Sequence, residues 1–534
     1  MSKILVVQKQ YAGPWIRFST LKSAKALPRS TDSRVVCSML QCIRSPHESS
    51  VNMTVRLLLC ALLALLQGCV SPSREELPLD SPFIDQAELD QPSLPDGTAV
   101  GDVTSHSAVL WLKTSGSKHV QVEWASVEAW KTMAAMASVR SAAARTPVLV
   151  TSVETDFTLS IPIDGLSPGT RYRYYIVVVD PQKPSKRHVA GEGEFGTLPD
   201  PAVSAAVTFA WSGDLECRRG PQGYPIFDTI RKQRPDFFIF LGDTIYADHL
   251  CPSPPNEPGA NFIAKTLSEY RDRHHYQRGA AALRRMLQTV PVYVMWDDHE
   301  VKNNFSGPFE PQMPAGRQAL RDYWPIQIDA SDPHRLYRRV RYGSDLELFL
   351  LDTRQYRSRN ADPDGPAKTM LGGPQLIWLL DGIAGSNATW KVIVTSVPLS
   401  ILKGGGLTVP GYDGWAGGAE ANGFERERQL IVDAILQKKL KNVVFLAGDI
   451  HWVQANVYDP NEDGVADFHE FAVGPLSARP GWLTAPSATL HPTTLINEAG
   501  YENFGLVRVT KEAFALSVID EAGVTRFFHR IAAR

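Results

Sequence analysis

The chain has 534 residues, of which 43% are hydrophobic and 21% are charged. This composition is that of a globular protein long enough for more than one domain. The formal net charge is only −2, so the sequence gives no sign of a polyanion-binding surface and no nucleic-acid partner is expected.

The first 52 residues differ from the rest of the chain in their hydrophobic pattern. Residues 1–52 show no sustained hydrophobic period, and we interpret them as a non-native or disordered extension. Translation is then expected to start at Met53, where MTVRLLLCALLALLQGC begins. The apolar run at residues 57–66 is too short to span a membrane, but it is typical of a secretory signal.

The end of that stretch, LQGC, resembles a bacterial lipobox, whose cysteine becomes the lipidated N-terminus after cleavage. Residues 53–69 are therefore predicted to be a lipoprotein signal peptide, with Cys69 as the lipidation site and the Pro- and Ser-rich residues 70–98 as a linker. We expect an exported protein, lipid-anchored to the bacterial cell envelope and facing the periplasm or the exterior. The alternative is a cytoplasmic protein with a buried apolar helix, although the run has no polar face.

From residue 99 the pattern changes to short alternating strands. Residues 107–112 and 119–124 alternate apolar and polar side chains, and a Pro-Gly turn leads into the tyrosine-rich run at 171–179. Residues 99–198 are therefore predicted to form a small all-β sandwich. Through LSPGTRYRYYIVV this segment resembles a fibronectin type III domain.

Residues 201–534 alternate short apolar strands with helical stretches, as in a layered α/β domain. Four of these strands run directly into acidic residues. The residues at those strand ends are Asp214, Asp243, Asp297 with Asp298 and His299, and Asp449 with His451. Because ligands bind beyond the carboxyl ends of strands in open α/β sheets, we expect these side chains to converge on one site.

The repetition of a strand followed by an acid favours a metal site. A single aspartate after a strand often caps the next helix, but that explanation weakens when the unit occurs four times. Carboxylates, imidazole and the phenol of Tyr246 select iron, manganese, zinc or calcium rather than copper(I). Two ions that share a carboxylate can hold a phosphate oxygen, activate water and stabilise a leaving oxygen.

The ordered motifs GD, GDxIYAD, WDDHExxNN, LDTRQYR and GDIH resemble the alkaline phosphatase D family, the PhoD-like branch of the calcineurin-like metallophosphoesterases. The resemblance covers residues 201–534, and residues 99–198 match the usual N-terminal domain of that family. It implies a four-layer α/β sandwich, two mixed sheets flanked by helices, preceded by the all-β domain. It also implies hydrolysis of phosphomonoesters, phosphodiesters or both at a two- or three-metal site with a metal-bound hydroxide.

The resemblance implies a role for each motif residue. The implied metal ligands are Asp214, Asp243, Tyr246, Asp298, Asn304, Asp449 and His451. Asp243 would bridge two ions, and Tyr246 would bind ferric iron. His299 would act as the general acid, and Arg354 would place its guanidinium fork on phosphate. The implied cofactors are Fe(III) with Ca(II), and Mn(II) or Zn(II) are alternatives.

Some motif residues have a structural alternative. Of Asp297 and Asp298, only one is expected to face the site, and the other would cap a helix or pair with a nearby arginine. Tyr246 could be core packing, and Arg354 could pair with Asp352.

Three further residues near the motifs are interpreted from the sequence. Asp248, at the end of GDTIYAD, is interpreted as a loop residue, and Glu300 either stabilises His299 or begins a helix. Trp415, in a glycine-rich loop, is expected to anchor that loop rather than stack on substrate.

Cys217 and Cys251 follow two neighbouring strand ends. In an oxidising compartment a disulfide between them is the simplest pairing. The alternative, known among family members, is that Cys217 binds iron as a thiolate.

Two other functions stay open at this stage. One is a phospholipid head-group hydrolase, and the other is a non-catalytic cell-surface binding protein with a structural metal. The expected partners are a phosphate-ester small molecule or a lipid head group, together with the membrane that holds the lipid anchor.

Overall fold

The computed structural model describes residues 94–136, 143–219, 223–406, 409–417 and 422–534. The predicted extension 1–52, the signal peptide 53–69 with Cys69, and all but the end of the linker 70–98 lie outside the described residues.

Eleven strands of the described chain precede residue 300. They are β1 (Thr98–Gly101), β2 (Ser107–Lys113), β3 (His119–Ser126), β4 (Ala144–Arg145), β5 (Leu149–Val150), β6 (Thr158–Asp164), β7 (Arg171–Val179), β8 (Arg187–Gly196), β9 (Val207–Ser212), β10 (Phe237–Phe240) and β11 (Val292–Val294). The later strands are β12 (Arg338–Tyr342), β13 (Leu346–Leu350), β14 (Trp390–Val394), β15 (Gly404–Gly406), β16 (Val409–Tyr412), β17 (Val443–Ala447), β18 (Val453–Tyr458), β19 (Phe468–Ala472), β20 (Pro492–Glu498), β21 (Asn503–Val509), β22 (Ala513–Asp520) and β23 (Thr525–Ala532).

The helices of the described segments alternate with these strands. They are α1 (Val127–Met136), α2 (Ile226–Lys232), α3 (Leu267–Arg278), α4 (Ala281–Thr289), α5 (Met313–Tyr323), α6 (Gly373–Gly385) and α7 (Glu425–Gln437). Local sequence explains several helix starts, since Thr266 and Glu269 form a reciprocal capping box before α3 and a proline occupies the first turn of both α5 and α6. In the described part of the chain, no helix is long and apolar enough to cross a membrane.

Two mixed sheets dominate the structure. The first has nine strands in the order β23-β22-β21-β9-β10-β11-β1-β2-β6, and β9, β10, β11 and β1 run parallel. The second has seven strands in the order β12-β13-β14-β17-β19-β18-β20, with β13, β14, β17 and β19 parallel. The predicted pair of mixed sheets flanked by helices is confirmed.

Strand β10 shows how the layers are built. Phe237 and Ile239 belong to the apolar core shared by the two sheets, whereas Phe238 and Phe240 belong to the core under helices α2, α4 and α5. Successive side chains of a strand point to opposite faces, so a strand covered on both sides must be apolar throughout. A third core packs α6 and α7 on the outer face of the second sheet, which completes four layers.

The strands of residues 99–198 divide between two sheets. Strands β3, β4, β5, β7 and β8 form their own antiparallel sheet, but β1, β2 and β6 extend the first sheet of the α/β domain. The junction is the parallel pairing of Gly101 with Val292, where a Cβ on Gly101 would lie 2.5 Å from the carbonyl oxygen of Pro325. The predicted boundary near residue 200 therefore separates two sequence segments that share one core, and the likeness to fibronectin type III remains a prediction.

Candidate metal centre

Four strand ends meet at the candidate centre. Strands β9, β10 and β11 are parallel neighbours, so their carboxyl ends share one edge of the first sheet. Asp214 follows β9, Asp243 follows β10, and Asp297 and Asp298 follow β11. Asp449 follows β17 of the second sheet. The first sheet supplies three loops and the second sheet supplies the fourth.

The backbone at and near these strand ends has positive φ angles, which residues other than glycine rarely adopt. The left-handed φ angles are +62° at Asp214, +52° at Asp243, +56° at Asn304, +67° at Asp449 and +59° at His451. Such residues cost about 1–3 kcal/mol each and persist where the surrounding structure holds them, often at functional sites. Their concentration here marks the four loops as a site.

Gly242 allows two of these loops to approach each other. Its φ is +124°, and a Cβ at this position would lie 2.4 Å from the backbone nitrogen of Asp297. Only glycine fits such an approach and such a φ. The glycine of this GD motif therefore brings Asp243 close to Asp297 and Asp298.

Four groups of described side chains have potential ligand atoms within 4.8 Å of one another, and one of them consists of Asp248, His249 and His299. The other three share residues of the strand ends. These three groups are Asp214 with Asp243 and His451, Asp243 with Asp298 and His299, and Asp297 with Asp298 and Asp449. Asp243 belongs to two groups, which is the position expected of a bridging carboxylate. Asp297 pairs with Arg354 through Oδ1 at 2.6 Å, as expected for one of the two aspartates, and it also belongs to the third group together with Asp298.

One oxygen of each of these carboxylates is buried without a hydrogen-bond donor among the described residues. These atoms are Asp214 Oδ2, Asp243 Oδ2, Asp297 Oδ2, Asp298 Oδ1 and Asp449 Oδ2. Buried polar atoms are normally paired, and buried charges are normally matched by a counter-ion. Five carboxylate oxygens within one small volume fit cations as their missing partners.

The pKa values of these carboxyls reflect the same crowding. Burial and the charges of Asp298 and Asp297 raise the pKa of Asp243 well above its ordinary value. Burial also raises the pKa of Asp449 to about 7. Bound cations would favour the ionised forms and reverse these shifts.

His451 is oriented as a metal-binding histidine. Its Nδ1 lies 2.7 Å from the carbonyl oxygen of Arg479, which can only accept, so Nδ1 carries the proton and Nε2 presents a lone pair. Burial lowers the pKa of His451 to about 4, which keeps the ring neutral. The Tyr246 hydroxyl lies 2.9 Å from Nε2 and donates to it, so Tyr246 reaches the edge of the same ligand group.

His299 is held by a carboxylate that the sequence analysis dismissed. Its Nδ1 lies 2.7 Å from Asp248 Oδ1, and its backbone N–H donates to Asp243 Oδ1 at 3.0 Å. Burial opposes a charge on the ring, but Asp298 and the hydrogen bond to Asp248 outweigh it and raise the pKa of His299 to about 9. The interpretation of Asp248 as an ordinary loop residue is wrong, because it fixes this imidazole.

Comparison with known families agrees with this geometry. The family model described as PhoD-like phosphatase matches residues 209–514, and the one described as PhoD-like phosphatase, N-terminal domain, matches residues 80–199. The chain belongs to the PhoD-like phosphatase family. Alkaline phosphatase D of Bacillus subtilis (strain 168) is 29% identical over 405 residues, covering 66% of this chain and 64% of that protein. The chain thus spans less than two thirds of that relative's length.

Solved structures share the fold of this PhoD-like chain. A structure of PhoD superposes with a TM-score of 0.65 at 22% identity, covering 83% of this chain and 93% of the other. The purple acid phosphatase PPD1 from yellow lupin (Lupinus luteus) seeds superposes with a TM-score of 0.57 at 12% identity, covering 82% and 75%. The predicted architecture of two mixed sheets flanked by helices agrees with the fold of these structures.

Arg354 does not have the role that the PhoD-like resemblance implied. Its side chain is fully buried, its Nε donates to Asp297 Oδ1 at 2.6 Å, and its two terminal nitrogens form a fork on Asp413 at 2.7 and 2.8 Å. With its donors engaged by carboxylates, the guanidinium has no free fork for phosphate. The alternative pairing with Asp352 is also wrong at the side-chain level, because Asp352 Oδ1 accepts the backbone N–H of Arg354.

Asn304 acts on the centre through its backbone. Its N–H donates to Asp298 Oδ2 at 2.6 Å, which orients that carboxylate. Its side chain lines a cavity beside the centre, together with Asn303. A ligand role for the Asn304 side chain stays a prediction.

Glu300 is the most important residue that the sequence analysis left undecided. It is completely buried and accepts the backbone N–H groups of Asp243, Thr244 and Asp297 at 3.0, 2.6 and 2.9 Å. One carboxylate therefore ties the loops after β10 and β11 together. Its place in the DDHE motif was the available signal, but its partners are revealed only by the fold.

Described residues of the glycine-rich loop lie beside the centre. Lys403 lies 3.2 Å from Asp449 Oδ1 and donates to the Asp449 carbonyl at 2.9 Å, so it partly neutralises that ligand. Trp415 is buried and its indole N–H lies 3.3 Å from Thr395 Oγ1, so it anchors the loop as expected. Neither Lys403 nor Asp413 was assigned a role from the sequence, although both lie in this loop.

Cys217 and Cys251 are joined by a disulfide with a Cα–Cα distance of 6.1 Å. Neither sulfur is then a thiolate, which argues against the alternative in which Cys217 binds iron. The bond links the loops that follow Asp214 and Asp243, and Arg273 Nη1 lies 3.0 Å from the sulfur of Cys251.

Asp243→Asn is expected to change stability in opposite directions with and without metal. In metal-free protein, above the pKa of Asp449 of about 7, the amide relieves carboxylate repulsion and should raise Tm by about 2–4 °C. In metal-loaded protein the lost bridging charge weakens cation binding and should lower Tm relative to wild type. Calorimetry with and without chelator, alongside elemental analysis, measures both effects.

Asp381→Asn is the matched control, because Asp381 is exposed on helix α6. It should leave both melting temperatures and the metal content unchanged. A shift of Asp243→Asn in the same direction under both conditions would contradict the assignment of this carboxylate to a cation site.

Proposed function

We propose that this protein hydrolyses phosphate esters, as monoesters, diesters or both, with two or three bound cations. The observation that carries the proposal is the set of five buried carboxylate oxygens that find no hydrogen-bond donor among the described residues. Structural metal sites are usually closed by four ligands, whereas these ligands come from four separate loops at the carboxyl ends of strands, where ligands bind in α/β folds. That position supports catalysis over a non-catalytic binding protein with a structural metal.

The three side-chain groups suggest how the cations would be held. Asp214, Asp243 and His451, with Tyr246 beside them, would hold one ion, and Asp243 with Asp298 would hold a second. Asp449 with Asp297 offers a third position. We propose Fe(III) in the group near the Tyr246 phenol and Ca(II) among the carboxylates, and Mn(II) or Zn(II) are alternatives. Such ions, when bound, would activate water and stabilise charge on the phosphoryl group.

His299 is proposed as the proton donor. Asp248 occupies Nδ1, so Nε2 is the nitrogen left to donate, and the hydrogen bond from Nδ1 to Asp248 favours the protonated ring by raising the pKa of His299. As the oxygen of water forms its bond to phosphorus and gives up a proton to solvent, the bond from phosphorus to the leaving oxygen breaks. The leaving oxygen takes the Nε2 proton, His299 then regains a proton from solvent, and Asp248 holds the ring in place throughout.

The metal-loaded protein is expected to hydrolyse p-nitrophenyl phosphate or bis-p-nitrophenyl phosphate, together with glycerol 3-phosphate, and to lose this activity with chelator. His299→Gln should lower kcat on glycerol 3-phosphate by about 10²–10⁴-fold, because an alkoxide needs a proton to leave. Its effect on the p-nitrophenyl esters should be about tenfold or less, since p-nitrophenolate leaves without protonation. Steady-state kinetics on each substrate measures this difference.

His106→Gln, at an exposed residue in the turn before β2, should leave both rates at the wild-type level, and His299→Gln should keep its metal content. Equal losses on both substrates together with lost metal would make His299 a ligand instead of an acid. If metal-replete, folded protein turns over none of these esters, the binding-protein alternative is favoured.

A second candidate function is hydrolysis of phospholipid head groups, and one exposed segment favours it. Trp482 is 91% exposed and Leu483 is 53% exposed. Both follow Gly481, whose N–H donates to the His451 carbonyl at 2.9 Å, so they lie close to the centre. An exposed tryptophan and leucine at such a position are suited to the membrane interface.

Trp482→Ala is expected to lower the rate on phosphatidylglycerol vesicles by about tenfold, because it removes apolar surface that would enter the bilayer interface. Its rate on dissolved bis-p-nitrophenyl phosphate should stay within about twofold. Ile377→Ala, an exposed apolar residue of helix α6, is the control. Equal effects of Trp482→Ala on both substrates, or no vesicle activity in wild type, would exclude the lipid candidate.

We also propose that the chain is exported and anchored by a lipid on Cys69. The sequence signal at residues 53–69 supports this localisation, and so does the Cys217–Cys251 disulfide, because such bonds persist in oxidising compartments.

Cells fed an alkyne-labelled fatty acid should label the wild-type protein but not Cys69→Ser. Cys60→Ser, within the apolar run, should still be labelled. Label on Cys69→Ser, or none on wild type, would contradict the anchor.

A further inference from the structure

A cavity of about 290 Å³ lies beside the metal centre. Lys302, Asn303, Asn304, Phe309, Glu310 and Arg359 are among the residues that line it. None of the roles proposed so far uses this cavity.

The cavity wall is joined directly to the catalytic groups. The Asn304 N–H donates to Asp298 Oδ2 at 2.6 Å, and the neighbouring Asn303 N–H donates to Asp248 Oδ2 at 2.8 Å. Asp248 in turn holds His299. The cavity wall therefore contacts a proposed metal ligand, Asp298, and the carboxylate that orients the proposed proton donor.

Asn360 holds the cavity residue Asn304 in place. The Asn360 side-chain amide donates to the Asn304 carbonyl at 3.1 Å and to Asp413 Oδ1 at 2.9 Å. Asp413 is the carboxylate that accepts the Arg354 fork. The cavity is therefore built on the network that surrounds the centre.

Arg359 differs from the other arginines of its segment. Arg354 and Arg357 are buried and engaged by Asp413. The Arg359 guanidinium is exposed and stacks over the Phe309 ring at 3.8 Å, and no carboxylate of the described chain forms an ion pair or hydrogen bond with it. Stacking orients the plane of a guanidinium and leaves its edge free to bind an oxyanion through two N–H groups.

The remaining charges of the cavity are nearly balanced. The Lys302 ammonium lies 3.8 Å from Glu310 Oε2, so these two residues largely offset each other. Arg359 leaves the cavity with a net positive charge. This charge suits a negatively charged group and disfavours a cationic one.

We propose that the cavity binds a second oxyanion of the substrate, a carboxylate or a further phosphate on the leaving group, with Arg359 as its main contact. The inference rests on the proposed phosphoesterase function and narrows its substrates to esters of acidic alcohols. Arg359 is thus a specificity-determining residue and takes no part in bond breaking.

Two substrates of nearly equal size isolate this contact. 3-Phosphoglycerate carries a carboxylate where glycerol 3-phosphate carries a hydroxymethyl group. Wild type is expected to prefer 3-phosphoglycerate by about tenfold or more in kcat/KM, mostly through KM, as a charge-assisted hydrogen bond implies. Arg359→Gln should reduce this preference to about twofold or less, and its kcat/KM for glycerol 3-phosphate should stay within about twofold of wild type.

Two further variants test whether the preference requires the guanidinium group of Arg359 in particular. Arg359→Lys keeps the charge but loses the fork, and should retain an intermediate preference. Arg526→Gln removes an arginine that stacks on Tyr501 in the C-terminal strands, and should leave the preference unchanged.

The possible failures are distinguishable. If the metal-loaded wild type turns over neither ester, the proposed function fails and the inference fails with it. If both esters are hydrolysed but the preference is absent, or survives Arg359→Gln in protein with wild-type Tm, the cavity does not bind an oxyanion and the phosphoesterase function stands.

Discussion

The structure depends on the enclosure of five like-charged carboxylates in one small buried volume. Burial and mutual repulsion both oppose this arrangement, and they raise the pKa values of Asp214 and Asp243 well above the ordinary range. Large apolar cores on both faces of each sheet offset this cost in free energy. The left-handed backbone conformations at the strand ends increase the cost. A site that is costly without its ions gains strongly from binding them, because metal binding is then coupled to stability.

The protein's own positive charges surround this cluster without filling it. Arg354 lies between Asp297 and Asp413, Lys403 contacts Asp449, and His299 lies between Asp298 and Asp248. Each of these groups engages an outer part of the cluster, yet five inner oxygens still find no donor among the described residues. Arg354 therefore holds the carboxylates of Asp297 and Asp413 in place, although a guanidinium is also suited to binding phosphate.

The sequence identified residues that the fold brings together, because their signals are local. A continuous apolar strand that ends in an acid is visible in a few residues, and parallel strands bring their carboxyl ends to one edge. The failed predictions concern partners that are distant in sequence. Arg354 meets Asp413 across 59 residues, and Asp248 meets His299 across 51. The shared core of the N-terminal strands arises in the same way, because no local pattern reveals that β1 pairs with β11.

The central claim is that cations hold the inner carboxylate oxygens together, and anomalous diffraction from crystals of the metal-loaded protein tests it most directly. The account predicts at least two anomalous peaks, one bonded to Asp214, Asp243 and His451 and the other to Asp243 and Asp298, with Asp243 shared between them. Peaks located elsewhere, or a fully loaded crystal in which these oxygens contact no metal, would contradict it.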